Sequence, residues 1–195
     1  YGKPRHRRYA KDLRRTEKPI STWIIPSALK KNEFEMLDVD DVETFTVGYT
    51  SEGTSLLSQI LGHKDFEYPK PMSLIKSLVK QSTGLDDEHI ILDFFAGSGT
   101  TGHAVWELNQ EDGGNRRTIL VSSTEATSSD PLKNVCRDVT RERLRCAAEG
   151  YSYRTPKGIN KVDGIGGEFA YLKAARIPMD YLHDKIQHDQ IWYVL

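Results

Sequence analysis

Apolar residues are spaced unevenly along the chain, and the spacing changes character near Lys70. Before it, short pieces such as Trp23-Ile24-Ile25 and Phe45-Thr46-Val47 are separated by charged and turn-forming residues, which predicts irregular structure with short strands through the first sixty or so residues. From Lys70 the pattern sharpens. Pro71 stands at a first helical position, Leu74, Ile75, Leu78 and Val79 recur on one face, Lys76, Lys80 and Gln81 occupy the other, and Gly84 supplies a C-terminal cap. An amphipathic helix is expected there. His89-Ile90-Ile91-Leu92-Asp93-Phe94-Phe95 is short and nearly continuously apolar, which suits a strand buried on both faces of a parallel sheet. Gly97, Gly99 and Gly102 lead into helical spacing over 104–109, Gly113-Gly114 breaks it, and Thr118-Ile119-Leu120-Val121 reads as the next buried strand. Asp130 and Pro131 mark the start of a third helix, which carries Leu132, Val135, Val139 and Leu144 and ends at Gly150. Residues 151–167 turn glycine-rich and polar, predicting a loop; 168–177 predict a strand and 180–187 a short helix. The chain then stops inside Ile191-Trp192-Tyr193-Val194-Leu195, and because an exposed apolar edge is sticky, a truncated C-terminus is expected.

Helices alternating with buried strands predict an α/β fold around a parallel sheet. At 195 residues the chain suffices for one core with an appended subdomain. Its 37% hydrophobic and 28% charged content, with a mean hydropathy of -0.56, suits a soluble protein. No apolar run approaches the roughly 20 residues of a membrane span, and no signal-peptide pattern opens the chain, so a cytoplasmic location is expected. Cys136 and Cys146 fall in one predicted helix, about 15 Å apart at 1.5 Å per residue, too far to bridge and in keeping with a reducing compartment. The six histidines show no ligand spacing, so no metal is expected.

The net charge of -1 conceals a segregation. Lys3, Arg5, Arg7, Arg8, Lys11, Arg14, Arg15 and Lys18 crowd the start against only Asp12 and Glu17, and Glu33, Glu35, Asp38, Asp40, Asp41 and Glu43 follow. Alone, a basic run reads as a solvated tail. It acquires meaning if the remainder points to nucleic acid.

The strand-to-helix turn Asp93-Phe94-Phe95-Ala96-Gly97-Ser98-Gly99-Thr100-Thr101-Gly102 has the build of a ligand loop. Glycines let a ligand approach the backbone, and the N–H groups opening the next helix favour electron-rich ligand atoms. Three ligand classes share such spacing. A nucleoside triphosphate loop needs Lys and Ser or Thr where His103 and Ala104 stand, which rejects that class. Gly97, Gly99 and Gly102 also satisfy the dinucleotide spacing. Asp93 separates the remaining two: an anion at the strand end repels a pyrophosphate and attracts the ammonium and sulfonium of S-adenosylmethionine.

With these residues on view, the stretch from about Phe66 to Gly150 resembles the C-terminal half of the β-class DNA amino-methyltransferases, above all the modification subunits of type III restriction systems. The resemblance rests on Phe66-Glu67-Tyr68-Pro69-Lys70-Pro71 with its helix, on ILDFFAGSGTTGHAVWELN, and on the run from Glu111 to Val121. It implies a Rossmann-like S-adenosylmethionine-dependent methyltransferase fold, incomplete in this chain. Residues 1–65 would form a basic arm with part of a target-recognition or connecting region, 66–150 the cofactor-binding αβαβα core, and 151–195 a truncated strand and helix extension. It implies cofactor contacts from Lys70 and Pro71 beside the methionine end, from Asp93, Phe94, Phe95, Ala96, Gly97, Ser98, Gly99, Thr100 and Thr101 around the loop, and from Glu125 to the ribose hydroxyls. Some relatives carry that acid at the strand end, where Ser122 stands. Arg5, Arg7, Arg8, Arg14 and Arg15 would contact DNA phosphates.

The family's catalytic motif, Asp/Asn/Ser-Pro-Pro-Tyr/Phe, holds the flipped base and is absent here, since Ser129-Asp130-Pro131-Leu132 lacks the second proline and the aromatic. The expectation is therefore a chain with no catalytic residue of its own, inactive alone, whose catalytic half lies upstream of Tyr1 in the same protein, leaving a sheet edge or face here exposed or covered by a partner. Double-stranded DNA, a second copy and a restriction subunit are the implied partners, and adenine N6 is favoured over cytosine N4. Two other readings stay open: a non-catalytic binding module, and a nicotinamide-dependent oxidoreductase supported by the glycine spacing.

Overall fold

A computed structural model of the chain describes residues 24–26, 45–63, 66–84 and 88–174. Their order is β1 (Ile24–Pro26), β2 (Phe45–Val47), α1 (Thr50–Leu61), α2 (Met72–Ser82), β3 (Ile90–Asp93), α3 (Thr100–Asp112) and β4 (Arg117–Leu120). A π-helical turn (Cys136–Arg141) runs into α4 (Glu142–Glu149), and β5 (Gly150–Thr155) and β6 (Gly158–Asp163) follow. β3 and β4 pair in parallel, with Ile90 opposite Arg117 and Asp93 opposite Leu120, across the α3 crossover. β1 pairs with β2 in parallel, and β5 with β6 as an antiparallel hairpin. The chain is thus a mixed α/β structure, as the alternation of periodicities predicts.

Two cores position the central unit. Val79 of α2 packs with Val105 and Leu108 of α3, against Ile75 and Ile91. Leu57 of α1 meets Val135 and Val139 at the π turn, beside Leu61 and Phe66. Helices therefore cover one face of β3–β4. The other face is open: Ile90 is 57% exposed, Leu92 48% and Ile119 51%, while Ile91 and Leu120 on the alternate positions are half-buried. This corrects the expectation of strands buried on both faces, because no described residue covers the second one.

Other expectations need revision. The first sixty residues hold a helix, α1, whose apolar residues Leu56, Leu57, Ile60 and Leu61 are diluted by Gly53 and a run of Ser and Thr. α2 is capped by Thr83 in extended geometry rather than by Gly84, whose N–H instead donates to His89 Nε2 at 3.0 Å. The third helix starts at Cys136, not Asp130. Asp130 and Thr127 exchange backbone hydrogen bonds at 3.1 and 3.2 Å, so the polar residues that looked like a cap close a tight loop. Residues 151–167, expected as a loop, contain the hairpin, with Pro156-Lys157 at its tip. Tyr151, Tyr153 and Thr155 are half-buried and alternate with exposed Ser152 and Arg154.

The strand expected at 168–177 is absent over its described part, 168–174. The chain instead wraps back after β6: Ile165 and Gly166 N–H donate to Ala147 and Ala148 carbonyls, Phe169 lies 6.1 Å from Trp106 between ring centroids, and Arg141 stands over Tyr171. The helix expected at 180–187 and the final apolar run lie outside the described residues. Among the described residues no helix is long and apolar enough to cross a membrane, and no group of His, Cys, Asp and Glu is placed to hold a metal.

Candidate ligand site at the glycine loop

The loop between β3 and α3 is tied down at both ends. Asp93 Oδ1 accepts the Phe95 N–H at 3.0 Å, and Oδ2 accepts the Thr101 hydroxyl at 2.6 Å, so one carboxylate bridges the strand end and the first turn of α3. Ala96 N–H donates to Val121 O at 3.0 Å, and Val121 N–H donates to Asp93 O at 2.8 Å, which anchors the loop to the end of β4. Gly99 N–H returns to Ala96 O at 2.7 Å to close the turn. Gly99 adopts φ +73, and a Cβ there would lie 2.9 Å from Thr140 Cγ2; both facts demand glycine. The N–H groups of Gly97 and Ser98 have no partner among the described residues.

Behind the loop stands the helix that begins as the π turn. Thr140 Oγ1 donates to Gly97 O at 2.6 Å. Arg143, with no exposed surface, donates from Nη1 to Thr100 Oγ1 at 2.8 Å, Ser98 Oγ at 3.3 Å and Ser98 O at 3.4 Å, and from Nε to His103 Nδ1 at 3.4 Å. Burial pulls the Arg143 guanidinium down to about 10, so it stays cationic at neutral pH. Burial, and then the charges of Arg143 and Lys76, push His103 down to about 3. His103 is therefore neutral, accepts at Nδ1 and presents its Nε2–H to Glu107 Oε1, 3.4 Å away. Glu107 and Glu111 in turn hold Lys76 of α2.

Sequence reasoning missed Thr140, His103 and Arg143. Their signal was available: Arg143 sits at helical spacing between Val139 and Ala147, a cation in an apolar stripe.

The Phe66–Pro71 segment comes to the same loop. The Phe66 ring reaches so close to Gly97 that a Cβ there would meet its Cζ at 3.0 Å. Pro69, Pro71 and Met72 are buried, Lys70 is exposed, and Tyr68 is exposed at φ +59, an unusual conformation for an aromatic residue. α1 holds this segment through two residues unnoticed in the sequence. Gly53 packs so tightly on it that a Cβ would fall 2.3 Å from Pro69 O and 2.6 Å from Lys70 O. Glu52 accepts the Ser73 N–H at 2.8 Å and the Ser73 hydroxyl at 2.6 Å, capping α2 where Pro71 has no side-chain acceptor.

Of the remaining candidates, Phe94 and Phe95 are exposed, whereas Ala96, Ser98, Thr100 and Thr101 are buried. Glu125 is exposed at φ +56 in the connection after β4, where its carboxylate accepts from Lys133 at 3.2 Å. Ser122 Oγ donates to Ser123 O. Arg5, Arg7, Arg8, Arg14 and Arg15 lie outside the described residues.

Over 109 residues the chain is 39% identical to the Mod subunit of the type III restriction-modification enzyme StyLTI of Salmonella typhimurium, an overlap of 53% of this chain and 16% of that protein. It is 38% identical over 108 residues to the type II methyltransferase M.KpnI of Klebsiella pneumoniae, covering 53% of this chain and 25% of the relative. It is 50% identical over 76 residues to the EcoPI Mod subunit of Escherichia phage P1, covering 39% and 12%. The chain thus spans a quarter or less of the length of each of these relatives. The DNA methylase family matches residues 3–142, well over half of the chain. On that match, this chain belongs to the DNA methylase family.

Proposed function

We propose that this chain is the S-adenosylmethionine-binding part of a site-specific DNA methyltransferase of a restriction-modification system. The methyl acceptor would be an exocyclic base amino group, adenine N6 by resemblance to type III modification subunits. The carrying observation is the loop itself: a carboxylate at a strand end, a glycine turn with two unengaged N–H donors, and a segment from Phe66 to Pro71 packed beside it. The residues fit the cofactor. Asp93 offers an anion to its ammonium and sulfonium, the Gly97 and Ser98 N–H groups offer donors, and Gly99 lets the turn close tightly against Thr140. Lys70, Pro71 and the run from Asp93 to Thr101 are assigned to it, with Glu125 reaching the ribose hydroxyls once it exchanges Lys133 for them. Bound there, S-adenosylmethionine supplies an electrophilic methyl group on sulfur.

The β3–α3–β4 unit is read as the nucleus of a Rossmann-like methyltransferase fold, within a core spanning 66–150 on which α1 packs. No residue of this chain is assigned a catalytic role, because the Asp/Asn/Ser-Pro-Pro-Tyr/Phe motif is absent from its 195 residues. A half carrying that motif would dock on the open apolar face at Ile90, Leu92 and Ile119. Double-stranded DNA would meet Arg5, Arg7, Arg8, Arg14 and Arg15. A second copy and a restriction subunit complete the proposed assembly, in the cytoplasm.

The test is titration calorimetry with S-adenosylmethionine and its demethylated product, on the chain alone and with the motif-bearing half in trans, and on Asp93→Asn and Asp93→Ala. Asp93→Asn keeps the acceptor for Phe95 and removes the charge, so a loss of about tenfold is expected for the sulfonium cofactor and a smaller one for its product, which keeps the ammonium but lacks the sulfonium charge. Quenching by NADH with indifference to S-adenosylmethionine would replace this reading with the oxidoreductase one. Absence of methyl transfer in the reconstituted pair would remove the enzyme assignment.

A further inference from the structure

Arg143 is a fully buried cation whose described hydrogen-bond partners are all neutral: Ser98 O, Ser98 Oγ, Thr100 Oγ1 and His103 Nδ1. Its Nη2 is buried without a partner among the described residues. Such a charge is retained at a cost unless something offsets it. The carboxylate that acts on it, Glu107, stands on the far side of His103. On its other side Arg143 faces the start of α3, where helix N–H groups already carry a partial positive charge.

The peptide geometry turns one donor toward the loop's outer surface, with the buried charge standing behind it. Thr140 holds the Gly97 carbonyl and Arg143 the Ser98 carbonyl from behind. In a planar trans peptide the C=O and the following N–H point in opposite directions, so pinning the Gly97 carbonyl inward turns the Ser98 N–H outward, where it has no partner. Asp93 accepts at the start of the same helix from Thr101, the neighbour of Thr100. A negative group and a buried positive group thus engage adjacent threonines at the start of α3.

We propose that Arg143 is a positioning residue that acts through Ser98 and Thr100 to make the start of α3 the seat of the cofactor's carboxylate, while Asp93 receives its cationic groups. The proposal rests on the cofactor reading above and adds a polarity to it: a zwitterionic amino-acid end is held in one orientation by opposite charges. Neither charge alone sets that direction.

The experiment compares S-adenosylmethionine with decarboxylated S-adenosylmethionine, which keeps the ammonium and sulfonium and lacks the carboxylate. Binding is measured by calorimetry on the full chain paired with the motif-bearing half, together with thermal unfolding of each variant. Arg143→Met is expected to weaken S-adenosylmethionine by about tenfold or more and the decarboxylated ligand by about twofold or less, and Arg143→Lys to recover much of the difference. Should Arg143→Met fail to fold, Thr100→Val carries the same comparison, since it removes the hydroxyl through which the charge is delivered. Equal losses for both ligands, or unchanged affinity for both, would overturn the proposal and leave Arg143 a packing residue. A wild type that binds neither ligand would instead overturn the cofactor reading beneath it.

Discussion

Gly53 shows how a residue remote from the loop can govern it. Its missing side chain lets α1 lie directly on the carbonyls of Pro69 and Lys70, which are backbone atoms and cannot swing aside. Alanine would gain about 1 kcal/mol of helix propensity in isolation. Here Gly53→Ala is expected to lose about 1–3 kcal/mol in denaturant unfolding and to weaken S-adenosylmethionine by displacing Lys70 and Pro71; unchanged stability would show that α1 can back away freely. A second residue-scale expectation concerns acid. Arg116 is buried and donates to Asp112 at 2.9 Å and to Thr83 Oγ1 at 2.6 Å, joining the end of α3 to α2. Burial alone would raise the Asp112 carboxyl, but the Arg116 and Gly114 hydrogen bonds hold it below the usual carboxylate range. Its contribution is therefore present above the unfolded value near about pH 4 and fades as pH falls through the lower folded one. Melting of Asp112→Asn should trail the wild type at neutral pH, with the gap narrowing below about pH 4; a gap constant across that window would exclude the linkage.

Among the elements, those bearing strong periodicity were legible. α2 announces itself through Ile75 and Val79, and β3–α3–β4 through two apolar runs around glycines, because burial against helices demands those patterns. α1 was hidden because its contact with the Pro69 segment is made by glycine and a carboxylate, neither of which contributes to an apolar count. The hairpin was masked by the glycines around it, although its alternation was visible at Tyr151, Tyr153 and Thr155. The glycine turn from Asp93 to Thr101 could be read as a strand-to-helix loop, whereas its backing by Thr140 and Arg143 depends on tertiary placement that spacing does not encode. Glu52 supplies the element-scale prediction. Glu52→Ala removes the borrowed cap of α2 and should cost about 1 kcal/mol, with faster amide exchange confined to the first turn of that helix. Uniformly faster exchange would point instead to loss of the whole α1 contact.

At the scale of the whole molecule, the described residues form a one-sided layer. Helices protect Ile91 and Leu120, and Ile90, Leu92 and Ile119 face outward, which is the exposure expected where a sheet lacks part of its cover. Leu92→Ser should change the stability of the chain by no more than about 0.5 kcal/mol and reduce its self-association in sedimentation. If the face receives the motif-bearing half, the same variant should lose methyl transfer in the reconstituted pair; retained transfer would place that half elsewhere.

The π turn at Cys136–Arg141 has a consequence of its own. Its wider winding accommodates one residue more than a regular helix would, and each helical residue advances the azimuth by about 100°. Deleting Arg137, an exposed residue, would relax the turn and rotate the side chains on one flank of it relative to those on the other. Val135 could then stay in its apolar nest only if Thr140 and Arg143 swung out from beneath the glycines. The seat of the glycine loop is thus phased by a surplus residue in the helix that backs it.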